Sequence, residues 1–203
     1  MSRRAVGIYA FLIALFGIFC YFANRYDYFP GDVTISQWLQ GIDSTWFKPI
    51  MQYAPYIVGL GVVVGLQLWL RSRWRAFIFI AIDTAAAGLI SWLLKLLVSR
   101  PRPDAGLVQI MVGTQGLSFP SGHMAMATAI GGFIFYLAPR LVRKTTAIWL
   151  LRALLVLSIL SVGMSRIYLG AHWFSDVMGG LFLGALLLYP AVVLYNKWGA
   201  KNA

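Results

Sequence analysis

Both histidines of this chain fall within three short segments of a largely apolar sequence, and each segment also carries charged or hydroxyl side chains. The segments are residues 95–103, 118–123 and 165–176. They contribute lysine and arginine, then a Ser-Gly-His run, then an arginine followed by a histidine and an aspartate. Charged groups beside or within a membrane are expensive to maintain, so their clustering predicts a single active site.

The cationic members of these segments suit a phosphoryl group. Lys95, Arg102 and Arg166 would offer a point charge and two planar guanidinium forks to its non-bridging oxygens. Ser121 and Gly122 lie where a helix is predicted to begin, and the exposed amides of a helix N-terminus form an anion site. The missing side chain of Gly122 would let the backbone approach that anion closely.

The two histidines predict nucleophilic and acid–base roles. His172 and Asp176 are four residues apart and share one face of a helix, so the carboxylate can orient the imidazole of a nucleophile. His123 would then be the general acid that protonates the leaving oxygen. A metal site is the competing interpretation of these three residues. The surrounding cations would repel a divalent ion and the chain has no glutamate, so we expect neither a metal nor another cofactor.

Composition predicts an all-α integral membrane protein. The 203 residues are 60% hydrophobic and 11% charged, whereas an average soluble domain is about 25% charged. Apolar runs long enough to cross a bilayer as helices recur six times. They predict a six-helix bundle, one membrane-embedded domain over residues 1–203, with spans at 6–23, 53–70, 76–98, 123–137, 147–163 and 173–195.

The net charge of +11 is explained by orientation, with no nucleic-acid partner needed. Basic residues precede the first span, follow the last, and lie between spans two and three and between spans four and five. By the positive-inside rule these alternate loops and both termini are cytoplasmic in the plasma membrane. The three polar segments then all lie at the outer ends of spans three to six, which bring them together if they pack as one bundle.

The first outer loop, residues 24–52, is too long for a simple turn. Asp32 can cap a short helix that ends near Gly41 and carries Ile35, Trp38, Leu39 and Ile42 on one face. We expect this helix to lie at the membrane interface as an anchor, with a lid or lipid-entry guide as the alternative. Further aromatic residues of the loop are expected at headgroup depth, namely Tyr26, Tyr28, Phe29 and Trp46.

Two charged residues lie inside predicted spans. Asp83 in span three and Arg152 in span five are each about 12 Å from the cytoplasmic loops at 1.5 Å per residue. We expect them to form a structural ion pair, and a role in proton- or ion-coupled transport is the alternative. Glycines in spans two and six would allow close helix packing within a monomer: Gly59, Gly61, Gly65, Gly179, Gly180 and Gly184.

The order and spacing of the polar segments carry a family resemblance. Lys95 with Arg102-Pro103, then Pro120-Ser121-Gly122-His123, then Ser165-Arg166 with His172 and Asp176, resemble the three-part signature of the type 2 phosphatidic acid phosphatase superfamily. That superfamily also includes vanadium-dependent haloperoxidases and glucose-6-phosphatase. The six spans are similar to its membrane branch and disfavour the soluble haloperoxidases.

The resemblance implies a metal-independent phosphatase that works through a phosphohistidine. His172 would attack phosphorus, Asp176 would orient it, and His123 would protonate the leaving group. The transition state would be held by Lys95, Arg102, Arg166, Ser121 and the Gly122 amide.

The expected substrate is a lipid phosphate, whose tails remain among the membrane lipids. Phosphatidylglycerol phosphate, phosphatidic acid and undecaprenyl diphosphate are all compatible with a pocket that recognises phosphate. A lipid phosphotransferase is an alternative, in which another alcohol replaces water. Non-enzymatic alternatives are a transporter or flippase, which the lack of evident inverted repeats disfavours, and an inactive lipid-binding relative, which the intact histidines disfavour.

Overall fold

A computed structural model describes residues 3–42, 46–56 and 74–199, and these ranges contain helices and no strand. The amino-terminal part contains a long helix α1 (Arg3–Arg25) and two short helices, α2 (Asp32–Gln40) and α3 (Phe47–Tyr53). A 3₁₀ turn over Ala54–Tyr56 follows α3. The remainder forms α4 (Trp74–Val98), α5 (Gly122–Leu141), α6 (Thr145–Tyr168) and α7 (Phe174–Leu194), and α7 continues into π-helical Tyr195–Gly199.

The predicted fold class, an all-α membrane protein, is confirmed. Within the described ranges, α1, α4, α5, α6 and α7 are long and apolar enough to cross a membrane. The predicted second span, residues 53–70, lies outside the described residues from residue 57 onward, together with Gly59, Gly61 and Gly65. Its first residues end α3 and form the 3₁₀ turn.

Two helices end four or five residues beyond their sequence-based boundaries. The fourth span was expected to end at residue 137, but α5 continues through Pro139 to Leu141. A proline near a helix end removes only one backbone hydrogen bond, here to the carbonyl of Phe135. The fifth span was expected to end at residue 163, whereas α6 continues to Tyr168. Ser165 and Arg166 therefore lie on its last turn.

Helix α5 is the centre of the bundle and packs against α4, α6 and α7. Glycines make its contact with α7 close, as the sequence predicted. A Cβ added at Gly180 would overlap the carbonyl oxygen of Ser121, and one at Gly184 would lie 2.6 Å from Thr128 Cβ. Small residues on α7 therefore set the spacing of the two helices that begin at the polar segments.

The expected ion pair between Asp83 and Arg152 is not formed, and this prediction is wrong. Helix α5 lies between α4, which carries Asp83, and α6, which carries Arg152. Arg152 Nε instead points to the carbonyl of Phe135 at 3.4 Å, the acceptor that Pro139 leaves without an amide donor. Its guanidinium lies over the Phe135 ring, 4.7 Å from the centroid. Asp83 is 4% exposed and makes no ion pair within the described residues.

Helix α2 packs onto the bundle along a face other than the predicted one. Its buried residues are Asp32, Ser36 and Leu39, which face α6 and α7, while Trp38 is 70% exposed. Leu39 and Trp38 thus point to different sides of the helix. The expected side-chain cap by Asp32 is also absent, because Gly31 is the N-cap residue and Asp32 is buried in the protein.

Candidate active site

All three polar segments meet at one end of the bundle. They lie at the C-terminal ends of α4 and α6, the N-terminal ends of α5 and α7, and the loops between them. Backbone hydrogen bonds connect these loops: the Ser121 amide donates to the Asp176 carbonyl at 3.0 Å, and the Ser118 amide to the Arg100 carbonyl at 2.8 Å. The arrangement predicted from the parity of membrane crossings is therefore present.

The imidazole of His172 is almost completely buried and has a different neighbour at each nitrogen. Nδ1 lies 3.3 Å from Ser118 Oγ, and Nε2 lies 3.4 Å from Arg102 Nη1. A guanidinium has donors and no acceptor, so Nε2 must hold its lone pair towards Arg102. The proton is thereby assigned to Nδ1, and Nε2 is the atom available for nucleophilic attack.

Ser118 lies between the histidine and the aspartate. Its hydroxyl donates to Asp176 Oδ2 at 2.5 Å, while the direct distance from His172 Nδ1 to that oxygen is 3.6 Å. The latter exceeds ordinary hydrogen-bond length. The expected contact between imidazole and carboxylate therefore runs through a serine hydroxyl to which sequence reasoning gave no role.

Asp176 is completely buried and its two carboxylate oxygens have separate partners. Oδ2 accepts from Ser118 and from the Trp173 amide at 2.9 Å. Oδ1 accepts from Arg100 Nη1 at 2.6 Å in a buried salt bridge. Arg100 is the second residue at this site that sequence reasoning missed.

Burial determines the protonation state of the nucleophile candidate. It lowers the pKa of His172 to about 4, although the negative charge of Asp176 acts in the opposite direction. The imidazole is therefore neutral at pH 7. A neutral ring has the free electron pair that attack on phosphorus requires.

Two of the predicted phosphate-binding cations also hold the loops of the site. Lys95 Nζ donates to the carbonyls of Leu117 at 2.8 Å and Ser118 at 2.7 Å. Arg102 donates from Nη1 to the Ala171 carbonyl at 2.6 Å. Burial lowers the pKa of Arg102, and the charge of Asp176 opposes that change. Both cations thus fix the surroundings of His172 in addition to supplying positive charge.

Two of the predicted phosphate-binding residues have a buried donor without a partner among the described residues. Arg166 is 8% exposed and its Nη2 donates to Ser165 Oγ at 3.1 Å, but its Nε has no hydrogen-bond partner among the described residues. The hydroxyl of Ser121 is also buried, and in the part of the chain that the structure describes it too lacks a partner. These donors remain able to bind substrate oxygens.

Gly122 and His123 form the first turn of α5. A Cβ added to Gly122 would have Ser91 Cβ as its nearest neighbour at 3.8 Å, an ordinary contact, so packing within the protein does not require glycine there. His123 is exposed, and Lys95, Arg102 and Arg166 lie within electrostatic range of its ring. All eight predicted site residues thus gather at this end of the bundle.

Comparisons with known proteins identify the family of this chain. A sequence model of the PAP2 superfamily matches residues 75–200, which include all three segments. Phosphatidylglycerophosphatase B of Bacillus subtilis is 28% identical over 169 residues, covering 78% of this chain and 80% of that protein. Decaprenylphosphoryl-5-phosphoribose phosphatase of Mycobacterium tuberculosis is 35% identical over 117 residues, covering 57% of this chain and 59% of that protein.

The fold has a solved counterpart. The crystal structure of the first transmembrane PAP2 type phosphatidylglycerolphosphate phosphatase from Bacillus subtilis superposes with a TM-score of 0.78 at 23% identity. The superposition covers 96% of this chain and 98% of that one. The two proteins share the same helical architecture.

Proposed function

The chain belongs to the PAP2 superfamily, and we propose that it removes phosphate from a membrane lipid through a phosphohistidine on His172, without a metal ion. The class of activity, a phosphatase acting on lipid phosphates, follows from the family and its relatives. One observation carries the mechanism. His172 presents the lone pair of Nε2 beside Arg102, while Nδ1 is linked through Ser118 to the buried Asp176.

In the first step, Nε2 of His172 attacks phosphorus and the bond from phosphorus to the leaving oxygen breaks. His123, on the exposed side of the site, donates the proton that the leaving alcohol or phosphate needs. The imidazole becomes positively charged as the N–P bond forms. Its Nδ1 proton remains hydrogen-bonded to Ser118, and the negative charge of Asp176 stabilises the new cation.

In the second step, water attacks the phosphohistidine. His123, now neutral, accepts a proton from that water, and the N–P bond breaks to release inorganic phosphate and neutral His172. The equatorial oxygens are held by Lys95, Arg102 and Arg166, by the Ser121 hydroxyl, and by the Gly122 amide. Phosphoryl transfer depends on such fixed positive charge, which these side chains supply in place of magnesium.

The site lies at the outer surface of the plasma membrane in this proposal, with both termini in the cytoplasm. Loop charge supports the orientation: Arg140, Arg143 and Lys144 lie at the end of the bundle opposite to the site. The substrate phosphate would reach the site from the headgroup layer while its tails remain in the bilayer. Cysteine labelling at a substituted Thr114 tests this, because labelling only in opened cells would place the site inside.

The substrate candidates are phosphatidylglycerol phosphate, phosphatidic acid and undecaprenyl diphosphate. The names of the relatives support the first and, more generally, a lipid with a polyprenyl tail. The side chains at the site are proposed to bind the phosphate group, and they do not distinguish between the lipid tails of these candidates. We propose a monomer that binds its substrate alone.

The decisive experiment measures phosphate release from these three lipids by detergent-purified protein in the presence of EDTA. Wild-type protein should remain active, His172→Ala should be inactive, and the exposed outer-side variant Asp27→Asn should match wild type. Denatured wild-type protein quenched during turnover with ³²P-labelled lipid should carry acid-labile label. Loss of activity in EDTA would contradict the metal-free mechanism, and an active His172→Ala variant would exclude His172 as the nucleophile.

A further inference from the structure

We propose that Arg100 and Asp32 are positioning residues for this reaction. Asp32, on the helix of the first outer loop, fixes Arg100, and Arg100 fixes the carboxylate of Asp176 that acts on His172 through Ser118. The proposal rests on the function proposed above, in which His172 is the nucleophile.

Arg100 is 1% exposed and its donors are directed to protein acceptors. Nη1 donates to Asp176 Oδ1 at 2.6 Å and to Ser175 Oγ at 2.7 Å. Nη2 donates to Asp32 Oδ2 at 3.1 Å, and Nε points to two backbone carbonyls of the first outer loop, those of Tyr26 and Asp27. The planar fork thus joins two carboxylates that are 144 positions apart in the chain.

Asp32 holds this arrangement from the other side. It is also 1% exposed. Its Oδ1 accepts from the Ser175 amide at 2.8 Å, and its Oδ2 accepts from Ser175 Oγ at 2.6 Å and from the Phe29 amide at 2.8 Å. Because Ser175 directly precedes Asp176, Asp32 fixes both the backbone beside the catalytic carboxylate and the arginine that binds it.

These contacts restrict the rotation of the Asp176 carboxylate. Oδ1 is anchored by Arg100, so Oδ2 stays directed to Ser118 and the Trp173 amide. A displacement of about 1 Å at a reacting group can reduce a rate by about a hundredfold. Fixing the carboxylate therefore also fixes the Ser118 hydroxyl, which accepts the hydrogen bond from His172 Nδ1.

The positive charge of Arg100 also affects the pKa of His172. This effect can be tested separately from the hydrogen bonds by which Arg100 fixes Asp176. The charged groups that act on His172 are Asp176 on α7, Lys95 on α4 and Arg102 on the loop after α4. Arg100 partly neutralises Asp176, the one anion among them. Without that cation, the carboxylate would favour the protonated imidazole more strongly, which would raise the pKa of His172.

Arg100 differs from the cations proposed to bind substrate. Its Nε and both Nη atoms already donate to the protein, and its guanidinium lies over the Phe29 ring, 4.8 Å from the centroid. By contrast, Nε of Arg166 has no partner among the residues that are described. We therefore expect Arg100 substitutions to change kcat and to leave KM unaltered.

The experiment compares Asp32→Asn, Arg100→Lys and Arg100→Met with the controls Arg25→Met and Asp27→Asn, which change exposed side chains and leave the backbone carbonyl of Asp27 in place. Phosphate release from one lipid phosphate gives kcat and KM, and thermal unfolding in detergent gives the folded fraction. Asp32→Asn and Arg100→Lys should lower kcat per folded molecule by about 10- to 100-fold, with KM within about twofold of wild type.

The pH profile separates geometry from charge. Arg100→Lys retains the cation and should keep the acid limb of kcat/KM at the wild-type pH. Arg100→Met lacks the cation and should move that limb to higher pH. If Arg100→Met does not fold, Asp32→Asn and Arg100→Lys decide the question through kcat.

The proposal is overturned if Asp32→Asn and Arg100→Lys have the kcat of their controls per folded molecule. It is also overturned if a folded Arg100→Met variant keeps the wild-type acid limb. These outcomes differ from failure of the proposed function, in which wild-type protein releases no phosphate or His172→Ala remains active.

Discussion

Removing the Ser118 hydroxyl tests whether the nucleophile is oriented through a serine. In Ser118→Ala, the nearest acceptor for His172 Nδ1 becomes Asp176 Oδ2, which lies 3.6 Å away instead of the 3.3 Å to the serine oxygen. N–H···O hydrogen bonds have donor–acceptor distances of about 2.7–3.2 Å. The buried Nδ1 proton would therefore have no adequate acceptor at the moment when the ring becomes positively charged.

The size of the effect follows from that loss. A buried donor without a partner costs about 1–3 kcal/mol. Each 1.4 kcal/mol added to the activation barrier slows the reaction about tenfold. We therefore expect Ser118→Ala to lower kcat by about 5- to 150-fold. Asp176 should keep its position, because Arg100 and the Trp173 amide still bind it.

The assay is single-turnover formation of labelled phosphoenzyme, which isolates the attack by His172 from product release. Ser161→Ala is the matched control, because its hydroxyl donates to the Leu157 carbonyl of its own helix. A Ser118→Ala rate within twofold of that control would refute the reasoning. It would mean that the imidazole shifts and bonds Asp176 directly.

Three further outcomes are expected. Gly122→Ala should leave thermal unfolding unchanged, since its Cβ would lie 3.8 Å from Ser91 Cβ, an ordinary contact. It should weaken inhibition by vanadate, an analogue of pentavalent phosphorus. Inhibition equal to that of wild type would show that the anion does not approach this backbone closely. Gly170→Ala should lower both stability and kcat, because Gly170 has a φ of +67° and an added Cβ would overlap the Gln109 carbonyl oxygen. The backbone strain is about 1–3 kcal/mol. A variant that melts at the wild-type temperature would contradict this expectation. The kcat/KM profile of wild-type protein should fall as the pH drops through about 4, where His172 becomes protonated; an acid limb near 6.5 would mean that burial does not govern this ring.

The membrane spans could be predicted because an apolar run of about 20 residues has few alternatives to a spanning helix. Which spans are neighbours could not. Asp83 and Arg152 have opposite charges at similar depth, yet α5 lies between their helices. Arg152 is directed to the Phe135 carbonyl, which Pro139 leaves unpaired. To predict this contact from sequence, one would have to recognise that Pro139 leaves the carbonyl four residues before it without a hydrogen-bond donor.

The residues of the candidate site could be predicted where the spacing of the polar segments places them at one end of the bundle. Lys95, His123 and His172 were expected at one end of the bundle, and they lie there. Ser118 and Arg100 lie inside the same segments but received no role, because their partners come from other parts of the chain. Arg100 resembles any arginine at the end of a membrane helix, and its partner Asp32 resembles a helix cap. Only the folded chain reveals that they contact each other.

Charge explains why one arginine of the cluster differs from the others. Lys95, Arg100, Arg102 and Arg166 are four cations, and Asp32 and Asp176 are two buried anions, both bound by Arg100. The group therefore has a net charge of two positive units, which suits a lipid phosphate carrying nearly two negative charges at pH 7. Because Arg100 is bound to both carboxylates, we expect the three remaining cations to bind the substrate phosphate with little competition from these anions. We therefore expect Arg166→Lys to weaken binding of both substrate and vanadate, whereas Arg100→Lys should slow turnover with vanadate inhibition intact. Equal loss of vanadate binding in the two variants would contradict this division between binding and positioning.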